Sequence, residues 1–175
     1  MMVVMKRLSG KICRLEPVNV KWDEEFSRCA EIMRNAGWFS FCEKLKGHNL
    51  EVTNAFINNY KDSVVSLQTL NFRVNESTIA KATGISLEGE RWFKNHLFEV
   101  DLSIFLLARF ENMDWGKGIH LNNVKTEWRD ALNIIQHHIT HDGRFATVFK
   151  YHLRFLLHLN GESKINLPYY LFKRI

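Results

Sequence analysis

Proline is almost absent: the chain has only Pro17 and Pro168, both near its ends. Nothing in the interior therefore forbids uninterrupted helices. Cysteine is scarce too. Cys13, Cys29 and Cys42 are odd in number, widely spaced and without a CxxC pair. That argues against a disulfide framework or a zinc ribbon and suits a reducing compartment. No apolar run reaches the length of a membrane span, and the most apolar window, LSIFLLARF at 102–110, is short and broken by Arg109. The opening MMVVMKRLSGKICRL places its apolar run before its basic residues, the reverse of a secretory signal. These absences predict an intracellular protein, nuclear or cytoplasmic, with no membrane partner. Catalytic signatures are missing as well. There is no GxSxG, and GKG at 116–118 lacks the rest of a P-loop or dinucleotide fingerprint. No cofactor is expected, and an enzyme has no support.

What is present is a chain of 175 residues with 46% hydrophobic and 25% charged residues, enough to bury a core and too apolar for wholesale disorder. The formal net charge of +5 is compatible with a polyanionic partner.

The periodicity is mostly helical. Trp22 to Asn35 opens with Asp23, Glu24 and Glu25 and carries Phe26, Cys29, Ile32 and Met33 at helical spacing, with Gly37 as its stop. Trp38, Phe39, Phe41, Cys42 and Leu45 crowd a short helix or turn ending at Gly47. Asn49 is placed to cap a third helix with a stripe of Val52, Phe56, Ile57 and Tyr60. SVVSLQTLNFRV is then β-branched and alternating, which predicts one or two short strands. Asn75 caps a helix that Gly84 ends in the left-handed conformation, with Ile79, Ala80 and Ile85 buried. Leu97–Phe110 reads as a buried helix, and DWGKGIHLNN as a loop with caps at Asn122 or Asn123. Val124–His138 is the clearest amphipathic helix, built on Val124, Trp128, Leu132 and Ile135. Ala146–Leu159 is another, and Pro168 opens the last.

The sum is a mainly α, single-domain multi-helix bundle of roughly six to eight helices, with a small β element around 64–74. Residues 1–20 read as a tail or an added strand. Residues 21–175 read as the helical domain, cut at its C-terminus from a longer protein.

Two local clusters invite chemistry. HHITHD, at 137–142, puts His137 and His141 four residues apart, so a helix could offer both to one metal ion, with Asp142 close by. The HExxH glutamate is lacking, and histidines in a last helical turn also complement the helix dipole. Basic and aromatic residues interleave in RWFK and FKYHLRF, a mixture that grips phosphates while rings stack on bases. Lys150 and Arg154 share one helix face there. Arg73, Lys81, Arg91, Lys94, Lys150, Arg154, Lys173 and Arg174 are therefore the candidate nucleic-acid contacts. An exposed aromatic patch near Trp38, Phe39 and Phe41 would serve a protein partner instead.

Residues 73–93, RVNESTIAKATGISLEGERWF, run from strand end through capped helix to a charged glycine corner. Together with LKGHNLEVTNAFINNY (45–60) and FATVFKYHLRFLLHLNGESKINLPYYLFKRI (145–175), they resemble plant transposon- and retrotransposon-derived proteins and, more loosely, the plant mobile domain. The resemblance covers the chain from about Trp22 onward. It implies a helical, intracellular part of a mobile element or of a gene domesticated from one. It supplies no catalytic residue, and no lysine stands out as a pyridoxal-phosphate anchor. The expected role is a non-enzymatic interaction module that binds nucleic acid non-specifically or binds a protein. The alternative is a metal-binding protein or metal-assisted enzyme using the 137–142 cluster.

Overall fold

The computed structural model describes residues 27–44, 50–67, 70–93, 101–107, 115–141 and 146–175. Among them, helix α1 (Ser27–Asn35) buries Cys29, Ile32 and Met33, the stripe expected from its spacing. It closes on Gly37, whose φ is +73°. The Gly37 amide donates to the Arg34 carbonyl and the Trp38 amide to that of Met33, a Schellman arrangement that satisfies the last carbonyls. Both Met33 and Trp38 are buried. Helix α2 (Phe39–Glu43) follows at once and buries Phe41 and Cys42.

Helix α3 (Leu50–Asn59) runs directly into strand β1 (Tyr60–Lys61). Asp62 and Ser63, both at positive φ, make the two-residue hairpin turn that matches strand twist and lead to β2 (Val64–Leu67). β3 (Leu70–Arg73) completes an antiparallel sheet in the order β1-β2-β3. The expected α3 stripe is shifted. Val52 is exposed, and the helix buries Thr53 and sets Phe56 in a stack on Tyr60, ring centroids 5.7 Å apart.

Helix α4 (Glu76–Thr83) is the segment whose ends were written most plainly. The Asn75 side chain accepts from the Thr78 amide at 2.9 Å. Gly84 takes φ +76° with no neighbour within 4 Å of where a Cβ would stand, so a side chain there meets conformational strain alone. Ile79 and Ile85 are buried and Ala80 is half-buried.

Three expectations change, two for helices and one for a loop. Residues 101–107 are not helical: a 3₁₀ turn at Ser103–Phe105 leads to an extended bridge from Leu106 to Val124. The apolar run buries Leu102, Phe105 and Leu106, while Leu107 remains exposed. An apolar stretch of this length does not distinguish helix from buried extended chain. The loop before the amphipathic helix contains β4 (Ile119–His120) and a 3₁₀ turn at Leu121–Asn123. His120 caps that 3₁₀ turn, its Nδ1 accepting from the Asn122 amide, whereas the N-cap of the helix that follows is Lys125, with no side-chain cap bond, and not Asn122 or Asn123. Residues 147–148 form β5 (Thr147–Val148), paired with β4, so helix α6 is only Lys150–Leu159.

Helix α5 (Thr126–Ile134) buries Trp128, Ala131, Leu132 and Ile134, then widens into a π-helix over Ile135–Thr140. The polar anchors of this turn are internal. The Gln136 amide donates to the Thr147 carbonyl at 2.8 Å. His152 accepts from the Phe149 amide at Nδ1, which leaves its Nε2–H to donate to the Thr140 hydroxyl at 3.2 Å. Helix α7 (Leu167–Arg174) carries Pro168 in its first turn and is capped by Asn166, which accepts from the Tyr169 amide at 2.9 Å.

A buried cluster joins residues from α1, α2, α4, α5, α6 and α7 and the strands. The result is helix-rich with a three-stranded antiparallel sheet and a second, two-stranded one. It is mixed α and β, with more sheet than a helical bundle carries. Trp22–Phe26, Leu45, Gly47, Asn49, residues 94–100 and 108–110, and Gly143 lie outside the described residues. Among the described residues, no helix is long and apolar enough to cross a membrane.

Candidate interaction surfaces

The charged corner after Gly84 proves to be a docking element. Gly89, at φ +106°, brings its backbone so close to residues 164–165 that a Cβ would lie 2.7 Å from the Ile165 carbonyl carbon. Only glycine fits both the conformation and the space. Glu90 then forms a short parallel bridge: its amide donates to the Lys164 carbonyl and its carbonyl accepts from the Asn166 amide, each at 2.9 Å. Asn166 closes the corner, donating its side-chain amide to the Leu87 carbonyl at 2.6 Å while its oxygen caps α7.

Beneath the corner Trp92 is fully buried, stacked on Tyr170 at 5.8 Å and meeting the edge of Phe155 at 5.6 Å. Arg154 is 3% exposed, its guanidinium 2.5 Å from the Glu90 carboxylate and 6.0 Å from the Trp92 ring. It is a buried cation compensated by a carboxylate that is itself half in solvent. This corrects the sequence reading: Arg154 belongs to the core and is not available to a phosphate. The reason is tertiary, because Glu90 and Trp92 arrive from a distant segment to receive it.

The other predicted basic residues disperse. Arg73 and Lys81 are exposed, on β3 and α4, and Lys150 is half-buried at the start of α6. Arg174 donates to the Thr140 carbonyl and is tied to the end of the π-helix. Lys94 lies outside the described residues. Arg91 and Lys173 are both brought to the Tyr169 ring. The Arg91 Cζ is 5.9 Å from the Tyr169 ring centroid and the Lys173 Nζ 5.7 Å from it. Arg91, in the segment after the Glu90 bridge, also pairs with Glu76 in the first turn of α4 at 3.2 Å. At so exposed a position this pair contributes at most about 1 kcal/mol.

The histidine cluster does not assemble as a helix face. The π-helix ends at Thr140, before the second histidine of the pair. His141 leaves the helix at φ +45°. Among the described residues no three His, Cys, Asp or Glu side chains are grouped to hold a metal ion, and Asp142 lies outside them. Burial first, then the neighbouring His137 and His141, pushes the His138 imidazole down to about 4.

The aromatic patch imagined for a protein partner is also interior. Trp38 is fully buried and stacked on His158 at 4.7 Å, Phe41 is buried, and Phe39 is half-buried under the Arg34 guanidinium. Cys29 and Cys42 are buried free thiols, pushed up to about 12, chiefly by burial, and so are poor nucleophiles.

No family model matches the chain, and no curated protein and no solved structure is similar to it.

His158 supplies the clearest titration. Its Nδ1 accepts from the Ile165 amide at 2.9 Å, a bond that requires the neutral ring. Burial pushes its pKa down to about 4. The Ser163 and Ala36 carbonyls pull the other way, and the Arg154 and Lys164 cations add to the fall. Because the folded value lies below the unfolded value of 6.5, protonation favours the unfolded chain. Stability is full above pH 6.5 and falls toward pH 4 by up to about 1.4 kcal/mol per pH unit. His138 titrates in the same window. The checking measurement is therefore the difference in urea midpoint between the wild type and His158→Gln from neutral pH to about pH 5. The variant should show the shallower decline; parallel curves would refute the assignment.

The sequence missed Lys61, whose place on the sheet is set by strand pairing. The alternation that marks the 64–74 strands was the available signal, but without β1 it did not reach residue 61.

Proposed function

We propose that this chain is a non-enzymatic interaction module of transposable-element origin that binds nucleic acid through its phosphates, with little preference for sequence. The observation that carries this reading is the grouping of Arg91 and Lys173 around Tyr169 on the exposed side of α7. Cations beside an aromatic ring suit a phosphodiester backbone with bases at hand. Nothing in that group forms the ordered nucleophile–base pair that acyl or phosphoryl transfer needs. A protein partner is the second reading, favoured by Ile104 within the 3₁₀ turn and Leu107 just after it, which stand exposed at 36% and 62%.

The test is a fluorescence-anisotropy titration of the purified protein with random single strands and duplexes at low and moderate salt. Affinity should fall steeply with salt as phosphate contacts return their counterions. Arg91→Gln with Lys173→Gln should weaken binding of every sequence alike, with a melting temperature within a few degrees of wild type. Absence of binding at low salt would reject nucleic acid and leave the protein partner.

A further inference from the structure

The three-stranded sheet has an outer face of a different character from its inner one. Directly opposed residues of antiparallel strands share a face, and alternate residues along a strand return to it. The register pairs Lys61 with Val64, Val64 with Arg73, and Ser66 with Asn71. These five residues therefore occupy one face. Tyr60, Val65, Leu67, Leu70 and Phe72 occupy the other, where Val65 is fully buried and Phe72 lies 6.4 Å from Phe56. On the outer face Lys61, Ser66, Asn71 and Arg73 are all exposed, and Val64 is half-buried.

No carboxylate occupies a strand position on that face; the nearest acidic residue in sequence is Asp62, in the hairpin turn. Arg73 is fixed at its backbone, where its carbonyl accepts from the Thr78 hydroxyl at 2.7 Å. Its guanidinium is left to solvent. Two strand spacings separate Lys61 from Arg73, roughly 10 Å between backbones, with the Ser66 hydroxyl and Asn71 amide one pair further along.

We infer that this outer sheet face is a second phosphate-contacting surface, which takes the backbone of a nucleic-acid strand. The inference rests on the nucleic-acid reading above and adds to it a location that the Arg91–Lys173 group does not include. Charge complementarity selects the occupant. The face carries two cations and two uncharged hydrogen-bonding side chains. It has no aromatic or large aliphatic anchor of the sort that dominates protein interfaces. Without a ring to stack on, it reads no base and binds the backbone of any sequence.

The test compares wild type, Lys61→Gln/Arg73→Gln and the charge-keeping Lys61→Arg/Arg73→Lys in the same anisotropy titration, over a series of salt concentrations. Removing two phosphate contacts should lower the slope of log affinity against log salt by about 1.8 for duplex and about 1.4 for single strands. The charge-keeping variant should retain the wild-type slope, and all three should melt alike. An unchanged slope in the neutralised variant, while the Arg91→Gln/Lys173→Gln variant binds weakly, would overturn this inference and leave the proposed function standing. No binding by the wild type would overturn both. Equal capture of polyglutamate, lost with the same two cations, would show an acidic-protein surface and overturn the choice of occupant.

Discussion

Replacing Glu90 by glutamine should lower the unfolding free energy by about 3 kcal/mol, although the side chain keeps its size and its hydrogen-bonding oxygen. The loss falls on Arg154. Its guanidinium is almost wholly buried, with the Glu90 carboxylate 2.5 Å away, and glutamine removes that charge. Breaking a buried pair by removing one partner costs about 3–5 kcal/mol, because a desolvated charge is left behind. The lower end applies here, since the Glu90 side chain is 57% exposed and the pair is partly in water. The geometry makes the effect unequal. Arg154→Met strands a carboxylate that water can solvate and places an apolar side chain in the core, for a loss of about 1 kcal/mol. With both substitutions the protein should resemble Arg154→Met alone. Urea unfolding at neutral pH measures all three. Equal losses from the two single changes would mean that the buried cation does not depend on Glu90.

Trp92→Ala should cost more, about 4 kcal/mol. The indole has no exposure and fills the angle between Tyr170, which it stacks on, and Phe155, which it meets edge-on; those two rings themselves meet at 4.9 Å. Alanine forfeits the transfer of the indole from water and leaves a cavity that three rigid elements cannot collapse to fill. It also loses aromatic pairings of about 0.5–1.5 kcal/mol each, part of which is already within that total. For a chain of this length the melting temperature should fall by about 8–16 °C. Trp92→Phe, which keeps a ring in the stack, should fall by less than half as much. A melting temperature for Trp92→Ala within a few degrees of wild type would show that the corner does not seal the core.

Both predictions concern residues whose local sequence says little about them. Arg154 sits in KYHLRFLLHL, where the charge at that spacing reads as the wet edge of a helix. Its partner is 64 residues away in the chain. No periodicity links the two, and the helix turns the guanidinium inward only because the Glu90 corner supplies a counter-charge there. The same holds for the 101–107 stretch. It is apolar around much of its circumference, as a buried helix is, but its backbone is drawn out to bridge Val124. The α5 helix was legible for most of its length. Its widening at Ile135 was not, because the π turn is held by Thr147 and His152 from later segments.

What the sequence determined by itself was the set of features whose causes lie within a few residues. Asn75 caps α4 because its side chain reaches the amide three residues on, and Gly84 ends it because only glycine takes the left-handed turn without strain. Asn166 and Pro168 open α7 for equally local reasons. The stripes of α1 and α5 follow from helical spacing, and the alternation of β3 from the pleat. Tertiary structure decided which charges are surface and which are core, why Gly89 is a glycine, and which cations share a face. Those outcomes depend on desolvation, on backbone approach and on strand register, and each is fixed by partners that the local chain does not contain.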